Sequence, residues 1–425
     1  MSDKSANQIR AACLVRDIPY MGVIHVVHEA SRLGFHNGHP DWSNLGQGQP
    51  EIGDMPGAPI RLSEVAFEMQ DCGYGPVGGI DALRDAVAQD YNRRFRQGKE
   101  SKYTRANVAI AAGGRLMLSR LLSTLAPTRL GHVIPDYTAY EEMLAAQDHR
   151  FKPIAINTRP ENGFQVPPER LREVISENKL GAFLLSNPRN PTGTVVRGSD
   201  LNAYVDIARE TSCWLLLDEF YSHFIFEEDG RASEGPVSAA EYIGDVNTDP
   251  VVLIDGLTKN HRYPGWRIGW VVGPPDVVEA VARAASAIDG GPPTVMQRLA
   301  VQALETKRSD QETAALRVEF ASKRSLMLQE LAGMGVDIPS RGNGTFYIWG
   351  RVNKLPASID SSEKFFRAAL QRKVMVVPGQ CFDVNPNGAR STRFIDDSWV
   401  RFSFGPSMNN MRQGLERLRQ LVEVS

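Results

Sequence analysis

The sequence predicts an α/β fold with a smaller α+β unit behind it, and two observations carry the prediction. From about Asn107 to Pro274, short apolar runs alternate with longer segments of helical periodicity, as β–α units around a largely parallel sheet require. Beyond residue 331 the pattern changes to separated strands and helices, which suits an α+β unit. Strands of the first unit are expected at residues 108–111, 132–134, 182–185, 213–217, 251–254 and 268–272, each close to Gly, Pro, Asn or Asp, with helices filling the gaps. Residues 294–331 read as nearly continuous helix, apolar at Leu299, Val301, Leu304, Leu316, Phe320, Leu326, Leu328 and Leu331, and long enough to link two domains. The second unit is expected at 345–349, 362–371, 374–377 and 400–404, with a closing helix from Met408. The first sixty residues, rich in Gly, Pro and His, have a periodicity too weak to place.

With 425 residues, 42% hydrophobic and 23% charged, the chain can bury a full core and divide into two domains. Its 48 basic and 50 acidic residues give a formal charge of -2, so nothing points to nucleic acid or an anionic membrane surface, and small molecules are the expected partners. Cys13, Cys72, Cys213 and Cys381 lie far apart with no CxxC pair. That argues against a disulfide framework and a structural zinc site, and fits a reducing cytoplasm. The N-terminus MSDKSANQIR lacks the apolar core of a signal peptide, and no apolar run approaches the roughly 20 residues of a bilayer span, so a soluble protein is expected.

Open α/β sheets bind ligands outside the carboxyl ends of their strands, which directs attention to the polar residues after each apolar run. After 182–185 comes SNPRNPTG; after 213–217 come Asp218, Glu219, Phe220 and Tyr221. After 251–254 come Asp255, Gly256, Leu257, Thr258 and Lys259, and after 108–111 come Ala112, Gly113, Gly114 and Arg115, opening a helix. Asp218 closes an apolar strand, where a buried carboxylate is costly unless it meets a cation or donors. Gly114 and Arg115 at a helix start offer backbone N–H groups, the helix dipole and a positive charge to a phosphate. In VRFSF, strand alternation puts Val400, Phe402 and Phe404 on one face and Arg401 with Ser403 on the other.

The order NPRNPTG, DEFY, LTKN and PGWRIGW resembles the pyridoxal 5'-phosphate (PLP) enzymes of fold type I, specifically the class I/II aminotransferases of the aspartate aminotransferase superfamily. NLGQGQP, the run from Tyr74 to Arg84, GTFYIW, VVPGQCF and VRFSFG fall in the same register, so the resemblance spans nearly the whole chain. It implies a mixed, mostly parallel seven-stranded sheet between helices in a large domain over residues 58–315, and a smaller α+β domain from 1–57 and 316–425. It implies that Lys259 carries PLP as a Schiff base and acts as general acid/base at the substrate α carbon. Asp218 resembles the partner of the protonated pyridine nitrogen, and Asn190 and Tyr221 the pair of donors to the 3' oxygen. Arg267, eight residues after Lys259, resembles the arginine on the phosphate, with Gly114, Arg115 and Thr258 beside it. Gly256 departs from the pattern, since many relatives carry a serine there.

Tyr137 resembles the aromatic stacked on the cofactor ring, and Tyr74 the residue that reaches the phosphate of a neighbouring subunit, which implies a homodimer with shared active sites. Arg401 resembles the arginine that grips the substrate α-carboxylate, with Asn190 and Gly48 nearby. The implied reaction moves an amino group from an L-amino acid to a 2-oxo acid. Lyases, cyclases and oxidases share this fold and site, and a non-catalytic homologue would keep the fold alone. Two other signals are set aside. Gly73, Gly75 and Gly78 spell GxGxxG without a preceding strand, and His25, His28, His36 and His39 lack the spacing of a metal site. In relatives the histidine region borders the substrate entrance, so one histidine is a candidate for side-chain selection.

Overall fold

The computed structural model describes Tyr20 and residues 22–425; Cys13 and the start of the predicted small domain lie outside the described residues. The chain opens with helix α1 (Gly22–Ser31) and a two-residue strand β1 (Ser43–Asn44), runs through a largely extended segment and enters α2 (Asp81–Phe95). A large sheet follows, made of β2 (Val108–Ala111), β3 (Thr128–Ile134), β4 (Phe151–Asn157), β5 (Ala182–Ser186), β6 (Trp214–Asp218), β7 (Val251–Gly256) and β8 (Gly269–Val272). Its order is β2-β8-β7-β6-β5-β3-β4, with β8 antiparallel to both neighbours and every other pair parallel. Helices α3 (Gly114–Thr124), α4 (Ala139–Ala145), α5 (Pro168–Asn178), α6 (Ser199–Thr211) and α7 (Pro275–Ile288) connect or follow these strands.

Strand alternation divides the sheet between two cores. Val108, Ile110, Phe183, Leu185, Leu215, Leu217 and Leu253 enter one apolar cluster. Ala109, Ala111, Leu184, Leu216, Ile254 and Val271 enter the other, which runs on into the C-terminal elements. The strands therefore read as continuous apolar runs, because both faces are covered.

Six of the seven strands stand where the apolar runs predict them. The seventh, β4, is an edge strand with Lys152 exposed and Pro153 inside it, and such residues mark a strand that needs no second neighbour. Its sequence FKPIAIN is correspondingly not a clean run. The expected continuous helix over 294–331 is two helices, α8 (Thr294–Ala303) and α9 (Thr306–Gly333). The Glu305 carboxylate caps the second by accepting from the Lys307 and Arg308 N–H groups at 3.2 and 2.9 Å, so the apolar periodicity continues across a real break.

Beyond α9 the three-stranded antiparallel sheet takes β9 (Tyr347–Arg351), and the chain continues through α10 (Ser362–Gln371), β10 (Val374–Met375), β11 (Val377–Pro378), β12 (Trp399–Ser403) and α11 (Met408–Val424). The predicted strand over 374–377 is split: β10 pairs with β1, and β11 joins β12 and β9. Among the described residues no helix is long and apolar enough to cross a membrane, and Cys72, Cys213 and Cys381 are free thiols.

Candidate active site

The carboxyl ends of β5, β6 and β7 open onto a cleft of about 1180 Å³, roofed by α1, the segment around Gly48 and the end of β12. Lys259, Asp218, Tyr221, Asn190, Arg401, Gly48, Gly114, Arg115, Tyr137, Thr258 and Arg267 all line it. Of the residues read from the sequence, Tyr74 is not brought there; its side chain is fully exposed.

Lys259 follows β7, and its Nζ donates to the Gly48 carbonyl. Burial pushes its pKa down to about 7, the Arg401 and Arg115 charges add to that, and Asp218 opposes it. Asp218, the last residue of β6, accepts from the Tyr140 hydroxyl at 3.0 Å and from the Phe220 N–H at 3.4 Å. Burial nevertheless raises its carboxyl to about 6. Asn190 Oδ1 accepts from Arg401 Nη1 at 2.9 Å, and Arg401 Nη2 donates to the Gly46 carbonyl at 2.8 Å. Because the amide oxygen of Asn190 is engaged by a cation, its NH₂ group is the end left to face the cleft.

The opposite wall is built for an anion. Gly113 holds φ at +93°, and a Cβ there would collide with the Arg267 guanidinium; a Cβ on Gly114 would collide with the Phe220 ring. Only glycines let the first turn of α3 come this close to both groups. Arg267 itself lies in the left-handed region (φ 53°), which costs a non-glycine residue about 1 kcal/mol and throws the side chain over Gly113. Arg115 Nε donates to the Tyr137 hydroxyl at 2.8 Å, and Arg267 Nη1 to the Pro264 carbonyl at 2.9 Å. Neither these two nor Arg401 forms a carboxylate ion pair among the described residues, so three cations converge with their charge uncompensated. Among the described residues the buried Thr258 hydroxyl also lacks a hydrogen-bond partner. An orphaned hydroxyl, a glycine cradle at a helix start and two arginines fit a phosphate, while Asp218 and Lys259 fit a protonated pyridine and its aldehyde.

The departure at Gly256 has a steric cause: a Cβ there would lie 2.5 Å from the Ile268 carbonyl oxygen and 2.7 Å from Gly269 Cα. No serine fits where β7 and β8 run this close. Gly113→Ala is expected to weaken PLP binding at least ~10-fold, since an alanine must both adopt a positive φ and displace Arg267. Fluorescence titration of the apoprotein with PLP measures the loss, and an unchanged affinity would rule out this cradle.

Sequence reasoning missed Tyr347, on β9, whose hydroxyl lies 2.8 Å from that of Tyr221, and Tyr140, the donor to Asp218. Tyr347 sits in GTFYIW, a motif noticed for its register alone. Of the four clustered histidines, His39 lines the cleft. His25 lies against Phe366 with ring centroids 6.1 Å apart, and His28 against Tyr20 at 4.7 Å.

A lysine, an aspartate and an arginine-lined glycine turn at the strand ends of this seven-stranded sheet fit a PLP-dependent enzyme of fold type I. The chain belongs to the aminotransferases of class I and II, whose family model matches residues 40–418, and it moves amino groups between amino acids and 2-oxo acids. It is 28% identical over 386 residues to a probable aspartate/prephenate aminotransferase of Thermus aquaticus, covering 89% of this chain and 91% of the relative. It is 27% identical over 385 residues to a valine–pyruvate aminotransferase of Mycobacterium tuberculosis, covering 89% and 91%. A crystal structure of an aminotransferase from Mycobacterium tuberculosis superposes with a TM-score of 0.77 at 25% identity, covering 97% of this chain and 99% of the other.

Proposed function

We propose that Lys259 carries PLP and moves the proton at the substrate α carbon, in a site completed by Asp218, Asn190, Tyr221, Arg267 and Arg401. The observation that carries this reading is the meeting in one cleft of a half-buried lysine, a buried carboxylate and three arginines that have no carboxylate partner among the described residues. Bound there, PLP supplies an electron sink for the bonds to the α carbon. Lys259 Nζ, with a pKa brought to about 7, changes protonation state near neutral pH, which lets one group both take and return a proton. Asp218 presents its carboxylate to the pyridine nitrogen, and the Tyr221 hydroxyl and Asn190 amide donate to the 3' oxygen. The backbone at Gly114, the Thr258 hydroxyl, Arg115 and Arg267 hold the phosphate, and the Tyr137 ring stacks on the cofactor. Arg401 grips the substrate α-carboxylate, with Gly48 lending backbone nearby.

The same reading assigns Tyr74 to the phosphate of a second copy in a homodimer with shared active sites. In support, Ile60, Phe67, Met69 and Tyr74 are all exposed along the segment before α2, an apolar strip that a second copy would cover. It takes residues 58–315 as the large domain and 1–57 with 316–425 as the small one, with the cleft between them, and a cytoplasmic setting suits the free thiols.

The test is a single half-reaction. PLP-loaded enzyme mixed with a donor amino acid and no acceptor is expected to release one equivalent of 2-oxo acid per site and stop, then resume when a 2-oxo acid is added. Continued release of ammonia or consumption of oxygen without acceptor would instead identify a lyase, cyclase or oxidase. No response of the cofactor spectrum to any amino acid would identify a non-catalytic homologue.

A further inference from the structure

We propose that Tyr347 is a positioning residue of this site, joining the carboxylate grip of Arg401 to the hydrogen-bond donor strength of Tyr221; the inference rests on the functional reading above. The Tyr347 hydroxyl lies 2.8 Å from the Tyr221 hydroxyl, and the Arg401 Cζ sits 3.9 Å from the Tyr347 ring centroid. The two phenols are 1% and 6% exposed, so each must satisfy its hydroxyl within the protein. Tyr347 faces Ser403 across the antiparallel β9–β12 pair, and Arg401 faces Trp349 two residues along, which puts Arg401 and Tyr347 on one face of that sheet. Tyr221 arrives from the loop after β6. One phenol on β9 therefore contacts a residue supplied by each sheet.

The direction of the bond follows from what each hydroxyl can do. A tyrosine that donates its single proton into the cleft keeps its oxygen free to accept. With Tyr221 donating toward the cofactor oxygen, Tyr347 is the donor to Tyr221. A guanidinium over the Tyr347 ring draws density from it and makes its hydroxyl a stronger donor, and each bond in such a chain strengthens the next. Tyr347→Phe keeps the ring under Arg401 and removes the donor; Tyr347→Leu removes both. The charged and titratable groups around the pair are Arg401 on β12, Tyr137 after β3, Arg115 on α3 and Lys259 after β7, and Lys259 in turn faces Asp218 at the end of β6 and Arg267 before β8; the variants change none of them.

The experiment is an absorbance titration of the PLP-loaded protein against pH, with acetate as a carboxylate probe read through the same band. Losing the donor to Tyr221 weakens stabilisation of the ionised cofactor oxygen, so in Tyr347→Phe the midpoint is expected to rise by at least ~0.5 pH unit while acetate affinity stays within about twofold. Tyr347→Leu is expected to raise the midpoint and also weaken acetate at least ~5-fold. In a Tyr221→Phe background, Tyr347→Phe is expected to shift nothing further, an outcome that a merely structural role would not produce. The proposal is overturned if Tyr347→Phe leaves the midpoint within about 0.2 unit, moves it equally in the Tyr221→Phe background, or weakens acetate as much as Tyr347→Leu does. If wild-type protein shows no absorbance change on adding PLP, the parent reading falls first and this inference with it.

Discussion

Lys259→Ala is expected to lower kcat for amino-group transfer by at least ~10⁴-fold, because in the proposed reading one side chain both carries the cofactor and supplies the proton-transferring base. Single-turnover release of 2-oxo acid measures the effect, and a variant retaining more than about 1% of the wild-type rate would show that another base does the work. The same position makes an opposite prediction for stability. Burial, followed by the Arg401 and Arg115 charges, holds the folded pKa at about 7 against an ordinary value of 10.5. Below pH 7 the amine is charged in both the folded and unfolded states, and the full cost of confining that charge falls on the folded protein. Between pH 7 and 10.5 the unfolded chain binds more protons than the folded one, so stability rises with pH and the penalty fades. Apoprotein carrying Lys259→Met is therefore expected to melt higher than wild-type apoprotein at pH 7, by a difference on the order of a few kcal/mol, and the gap is expected to shrink toward pH 10. A variant that melts lower at pH 7 would contradict a strained amine. Opposite signs in activity and stability distinguish a functional lysine from a merely structural one.

Why so much of this was legible lies in how local the signals are. Strands with both faces covered must be apolar throughout, so β5, β6 and β7 announce themselves, and ligand-facing residues follow at their ends. Asp218 and Lys259 are found this way. β4 escaped because an edge strand is released from that requirement, and the break before α9 escaped because Glu305 makes a cap without interrupting the apolar period. Tyr347 and Tyr140 were illegible for a different reason. Each looks like an ordinary half-apolar residue in a strand or short helix, and its partner is distant in sequence: Tyr221 for the first, Asp218 for the second. Gly256 shows the reverse case, in which a departure from the family pattern marks close strand packing rather than altered chemistry.

The second large effect is expected at Arg401, and its form separates binding from folding. Arg401 is 2% exposed, its two terminal nitrogens donate to the neutral acceptors Asn190 Oδ1 and Gly46 O, and Nε has no partner among the described residues. A buried cation with no anion beside it is a net cost to the fold, since neutral acceptors recover only part of the lost hydration. Its charge becomes favourable when a carboxylate enters the cleft. Arg401→Leu is accordingly expected to reduce kcat/KM by ~10²-fold or more, mostly through KM, the range set by about 2–5 kcal/mol for removing one partner of a buried charge pair. Arg401→Lys keeps the charge but cannot offer the planar fork or lie flat on Tyr347, 3.9 Å away, so a loss of ~10-fold is expected. Both variants should keep a melting temperature at or above that of the wild type in the absence of ligand. Steady-state kinetics over a range of amino acids, beside thermal melts of the same preparations, checks this. A rise in KM with the melt unchanged supports the carboxylate grip. A fall in melting temperature with KM unchanged means that Arg401 serves to hold Asn190 and Gly46 together, and the substrate carboxylate is then bound elsewhere.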